Sequence, residues 1–88
     1  MTYQVRFMPG ATRDIARLDR IIAQRVLTRL RWLSENFEGL TPETLTGEWR
    51  GLFKLRIGSY RVLYTVMQKE RLITVHLVGH RREIYRTR

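Results

Sequence analysis

At 88 residues, with 43% hydrophobic and 10% aromatic side chains, the chain has room for a single domain over residues 1-88 and one modest core; a chain this short buries only about two-thirds of its unfolded surface. The absence of cysteine excludes a disulfide framework, thiolate catalysis and thiolate metal sites, and suits a reducing compartment. Seventeen basic against eight acidic residues, a formal charge of +9 and a pI near 11.3, point to a polyanionic partner.

The charge is uneven along the chain. Seven basic and five acidic residues lie up to Thr44, against ten and three beyond it, so the second half is expected to hold the binding surface. The opening Met1-Thr2-Tyr3-Gln4-Val5-Arg6-Phe7 lacks the apolar run of a signal peptide, and no stretch approaches the roughly 20 apolar residues of a membrane span. The expected address is the cytoplasm, with no membrane association.

Tyr3, Val5 and Phe7 alternate with polar residues, the period of a half-buried strand, which Pro9-Gly10 ends. From Ala11 the apolar residues move to helical spacing. Ala11, Ile15 and Leu18, then Ile22, Val26, Leu30, Leu33 and Phe37, form one stripe. Asp19 is placed to cap a second, longer helix, so a short and a long helix are expected as a hairpin. Glu38 to Arg50 has two glycines, a proline and no steady period, and reads as a surface connection.

Three β-rich runs follow, Leu52 to Ile57, Tyr60 to Gln68 and Leu72 to Gly79, separated by Gly58-Ser59 and by a turn around Lys69-Glu70. A two-residue loop at Gly58-Ser59 pairs Ile57 with Tyr60, Arg56 with Arg61 and Lys54 with Leu63. Lys54, Arg56, Arg61 and Leu63 then share one face, while Phe53, Leu55, Ile57, Val62, Tyr64 and Val66 face the helical stripe. A second two-residue loop at Lys69-Glu70 pairs Val78 with Arg61 and His76 with Leu63, putting His76 on the basic face. Like charges directly across a sheet destabilise it by roughly 0.2–1 kcal/mol. No acid stands beside Arg56 and Arg61 in these strands, which suggests that phosphate supplies the counter-charge; the plainer alternative is that both splay into water or reach a helix carboxylate.

The order of strand, helical hairpin and meander, with Leu45-Thr46-Gly47, Phe53-Lys54-Leu55-Arg56, Gly58-Ser59-Tyr60-Arg61-Val62-Leu63-Tyr64 and Val78-Gly79-His80-Arg81-Arg82-Glu83-Ile84-Tyr85, resembles the RelE/ParE superfamily of type II toxin-antitoxin toxins over nearly the whole chain. The resemblance implies an α+β fold, an N-terminal strand and a helical hairpin packed on an antiparallel β-sheet of about four strands. It also implies a toxin held inactive by a cognate acidic antitoxin. Members of the RelE branch cut messenger RNA in the decoding site of the 70S ribosome, with the ribose 2′-hydroxyl as nucleophile and no metal or other cofactor. Operator DNA is expected to be met only by the toxin-antitoxin complex. By this likeness Lys54, Arg61, Arg81 and Tyr85 are the catalytic candidates, with Arg56 beside them. Two departures stand out: Leu52 lies where the best-studied branch has a second lysine, and only three residues follow Tyr85, leaving no room for a further helix.

Such a cleavage needs a base for the 2′-hydroxyl, charge stabilisation for the phosphorane and an acid for the leaving 5′-oxygen. Arg61 and Arg56 suit paired donation to phosphate. Lys54, near two arginines, is open to a proton-transfer role, and Arg81 to that of leaving-side partner. Tyr85 suits base stacking. His80 is a possible catalytic base, or only an RNA contact or strand cap; His76 is more simply a packing residue. Trp32 and Trp49 are read as core or antitoxin contacts before RNA-stacking groups. Arg82, Arg86 and Arg88 are expected to bind RNA or the ribosome. With no cysteine and two histidines, no metal site is expected. The competing readings are a ParE-like DNA gyrase inhibitor that acts by binding, a decayed toxin serving as corepressor, and an unrelated basic RNA-binding module.

Overall fold

The computed structural model describes residues 2–86. The N-terminal alternation forms β1 (Gln4–Phe7), led by the buried Tyr3. Pro9-Gly10, expected only to end the strand, opens α1 (Pro9–Arg17); a proline in the first turn removes an N–H that has no helical acceptor there. Asp19 caps α2 (Arg20–Asn36), its carboxylate accepting the Ile21 N–H at 3.1 Å. The helical stripe becomes the core: Ala11, Val26, Leu30, Leu33 and Phe37 are buried against Leu55, Val62, Tyr64, Ile73, Val75 and Val78 of the sheet. Burying each large aliphatic side chain contributes about 1.5–3 kcal/mol.

The expected surface connection carries a 3-10 turn at Phe37–Gly39, the two-residue strand β2 (Glu43–Thr44) and a second 3-10 turn at Gly47–Trp49. The meander follows as β3 (Phe53–Ile57), β4 (Tyr60–Met67) and β5 (Leu72–His80), closed by a 3-10 turn at Ile84–Arg86. The sheet order is β1-β5-β4-β3-β2. It therefore has five strands where about four were expected, because two residues are too few to show a period. Four of them pair antiparallel, and β1 lies parallel beside β5.

The β3–β4 register is the expected one, with Lys54 opposite Leu63, Arg56 opposite Arg61 and Ile57 opposite Tyr60. Between β4 and β5 the expected register holds from Met67 opposite Leu72 to Tyr64 opposite Val75. A bulge then makes His76 an extra residue. Beyond it Leu63 faces Leu77, Val62 faces Val78 and Arg61 faces Gly79, so His76 does not oppose Leu63 and Val78 does not oppose Arg61. The physical reason lies in Val75 and Val78, three residues apart and both buried in the helix-facing core. In an unbroken strand an odd spacing sends one of them to the opposite face, and the inserted residue restores both to the core. Leu63, expected among the basic residues, is fully buried.

Past β1 the edge of β5 is covered by α1. The Asp14 carboxylate accepts the Val78 N–H at 3.0 Å, an edge amide with no strand beside it. No helix among the described residues is long and apolar enough to cross a membrane.

Candidate functional site

The β3–β4 turn sets the geometry. Gly58 takes a φ of +59°, which glycine adopts without steric cost, and Gly58-Ser59 matches the two-residue turns with glycine first. That turn places Arg56 opposite Arg61. The Arg81 N–H donates to the Ser59 carbonyl at 2.8 Å, carrying the β4–β5 ladder past Tyr60–His80. Alternation along the paired strands then puts Arg56, Arg61 and Arg81 on one face, at the hairpin end of the sheet.

The two paired arginines resolve their repulsion differently. Arg61 turns back on its own turn, Nη1 donating to the carbonyls of Gly58 and Tyr60, both at 2.9 Å; its remaining N–H groups keep donor capacity. Arg56 donates to Glu43 Oε2 at 2.8 Å, and Lys54 Nζ lies 3.5 Å from the same oxygen. The expectation that no acid stands beside this pair is therefore corrected. Glu43 reaches it from β2, directly across from Lys54. The hydrogen bond from Arg56 holds the Glu43 carboxyl below its ordinary range; desolvation opposes it, and the charges of Lys54 and Arg56 add to the lowering. Its only sequence cue was the short Pro42-Glu43-Thr44, inside a stretch without a period.

The remaining candidates are spread around this end. Tyr85 is half-buried, its ring edge-on to Trp49 with centroids 5.9 Å apart. Beside it Ile84 packs close to Gly79, the partner of Arg61; a Cβ on that glycine would stand 3.6 Å from the Ile84 Cβ. Arg81, Arg82 and Arg86 are exposed, and Arg88 lies outside the described residues. His80 pairs with Tyr60, and alternation sends both to the helix side, away from Arg61. Its ring meets Tyr60 edge-on at 5.4 Å and its Nδ1 accepts the Arg82 N–H at 3.1 Å. His76, the bulge residue, is 2.9 Å from Thr65 Oγ1 through Nε2, and burial pushes its pKa down. Trp32 is exposed on α2 with the Arg29 guanidinium 4.1 Å above its ring. Arg20, Arg25 and Arg29 line a groove there with Ile21, Trp32 and Ile57.

This architecture and sequence match known toxins. Residues 5–85 fit the family described as the ParE toxin of the type II toxin-antitoxin system parDE. Toxin RelG of Mycobacterium tuberculosis is 38% identical, covering 98% of this chain and 99% of that protein. A RelE-like toxin protein of Escherichia coli is 30% identical over 92% of this chain and 85% of its own. Among solved structures, the Mycobacterium tuberculosis toxin-antitoxin complex RelBE2 superposes with a TM-score of 0.82 at 30% identity, covering 91% of this chain and 92% of the other. The isolated Escherichia coli RelE toxin shares the fold at a TM-score of 0.73 and 18% identity, over 89% and 83% of the two chains. The chain belongs to the RelE/ParE superfamily of type II toxin-antitoxin toxins.

Proposed function

We propose that this toxin is a metal-independent endoribonuclease that cuts messenger RNA in the ribosomal A site and so arrests translation. The observation that carries the reading is the gathering of Arg56, Arg61 and Arg81 at the hairpin end of one sheet face, with Lys54 farther along β3 on the same face. The ribose 2′-oxygen attacks the adjacent phosphorus and loses its proton to a base; the bond to the 5′-oxygen breaks, and that oxygen takes up a proton. Arg61, steadied by two carbonyls, and Arg56 are suited to the equatorial phosphate oxygens, where charge builds in the phosphorane. Arg81 stands on the leaving side, Lys54 serves proton transfer, and Tyr85 stacks on a base. Arg82, Arg86 and Arg88 add affinity for ribosomal RNA. His80 is the weaker candidate for the base, since it lies on the opposite side of the strand from Arg61.

The expected inhibitor is a cognate acidic antitoxin. The α2 groove, with three arginines beside exposed Ile21 and Trp32, suits an acidic amphipathic helix, and several structural relatives were solved as toxin-antitoxin complexes. Operator DNA is met through that complex. A second reading rests on the match to the parDE toxin family: a ParE-like toxin that inhibits DNA gyrase by binding alone.

Primer extension on a reporter message, with and without ribosomes, separates the two readings. Cleavage only in the presence of ribosomes, leaving a 2′,3′-cyclic phosphate and a 5′-hydroxyl, is the expected result. A 2′-deoxy substitution at the cut site is expected to abolish it, and Arg61→Ala or Arg81→Ala to slow it by roughly 100-fold. Continued cutting of the deoxy message overturns the mechanism; gyrase inhibition without any cleavage favours the second reading.

A further inference from the structure

We propose that Glu43 occupies, in the free protein, the place of a nucleic-acid phosphate between Arg56 and Lys54, and that RNA displaces it on binding. The inference rests on the reading of this face as an RNA surface and assigns its first phosphate position. A single carboxylate oxygen, Oε2, reaches both cations, at 2.8 Å from Arg56 and 3.5 Å from Lys54. One phosphate oxygen has the charge and acceptor capacity to do the same.

Three features make the contact replaceable. The Glu43 side chain is 45% exposed and that of Arg56 60%, and an ion pair so open to water holds weakly. β2 is an edge strand of two residues whose ladder consists of Glu43 opposite Lys54 and Thr44 opposite Phe53, so its local opening is cheap beside that of the inner strands. Neither β2 residue is buried, so the core does not depend on where the carboxylate sits. Arg61, by contrast, is held by carbonyls of its own turn, which polyanion binding need not break. Lys54 and Arg56 are thus the cations whose counter-ion can be exchanged for phosphate.

The test measures binding of a short single-stranded RNA, 2′-O-methylated throughout so that it cannot be cut, across a range of NaCl concentrations. Glu43→Gln keeps the side-chain shape and removes the competing charge. It is expected to bind about threefold tighter at low salt, the scale of one exposed ion pair, because the same phosphate contact then forms without first displacing a carboxylate. Adding Arg56→Gln to Glu43→Gln should cancel the gain. In the unmodified protein, the Glu43 carboxyl titration followed by carbon NMR should move upward when the same RNA is bound, which keeps the question decidable if the variant folds poorly. Salt-sensitive binding by the unmodified protein, with Glu43→Gln equal or weaker or with an unmoved Glu43 titration, overturns this inference alone. Absence of salt-sensitive binding by the unmodified protein overturns the RNA reading, and this inference with it.

Discussion

Tyr64 shows how much one residue's chemistry follows from the face it occupies. Strand alternation places it with Val62 and Val66 toward the helices, and its side chain is 1% exposed, its ring 5.6 Å from that of Phe53. Burial disfavours the phenolate and pushes the pKa up to about 12 from an ordinary value of 10.0. The folded state therefore binds the proton more tightly than the unfolded chain. The associated stability is fully present below about pH 10 and is lost as pH rises through about 12. Two pH units correspond to about 2–3 kcal/mol. Denaturant unfolding of the native protein and of Tyr64→Phe, compared from neutral pH to pH 12, should show the gap between them shifting toward the phenylalanine variant above pH 10. A constant gap would mean that Tyr64 ionises freely in the fold. Glu43 behaves in the opposite sense. Its lowered pKa gives a contribution present above the ordinary carboxylate value and lost as pH falls through the folded one.

The elements were readable in the sequence wherever a period ran long enough to be distinctive. The α2 stripe from Ile22 to Phe37 and the β3–β4 hairpin around Gly58-Ser59 each repeat their signal several times. The register of the hairpin, and with it the opposition of Arg56 and Arg61, follows from two turn residues. The bulge at His76 is masked because Ile73, Val75 and Leu77 continue an unbroken apolar alternation past it, and β2 because two paired residues set no pattern. The replacement of β1 by α1 along the β5 edge is hidden for another reason: it depends on a contact between Asp14 and Val78, 64 residues apart. That contact is testable. Asp14→Ala leaves the Val78 N–H without its acceptor, and losing the partner of a partly buried donor costs about 1–3 kcal/mol. Chemical denaturation should register that loss, and hydrogen exchange should show Val78 opening more readily while Ile73, in the core, stays protected. Unchanged stability and exchange would assign the β5 edge to some other support.

Across the molecule, charge shows an excess in the second half of the chain but not how it is arranged. Ten of the seventeen basic residues lie beyond Thr44; Arg56, Arg61 and Arg81 among them come to the hairpin end of the sheet, and Lys54 lies farther along β3. The acid that sits among them, Glu43, belongs to the other half of the chain, and only folding brings it there. The same distribution leads to a prediction about ribosome affinity. Arg82 and Arg86 are exposed past β5, beyond the Arg81 N–H that donates to the Ser59 carbonyl, so they are placed to meet phosphates without entering the reaction. Each phosphate neutralised on binding releases counterions, which makes the logarithm of affinity fall linearly with the logarithm of salt concentration. Arg82→Ala and Arg86→Ala should each flatten that slope by roughly 0.7–0.9 and weaken binding modestly, while the rate of cleavage at saturating protein stays near that of the native toxin. Binding measured by sedimentation with ribosomes over a salt series, alongside single-turnover cleavage, separates the two quantities. If either change eliminates cleavage at saturation and leaves the salt slope intact, the segment after β5 belongs to the catalytic machinery, and the division between binding and reacting arginines must be redrawn.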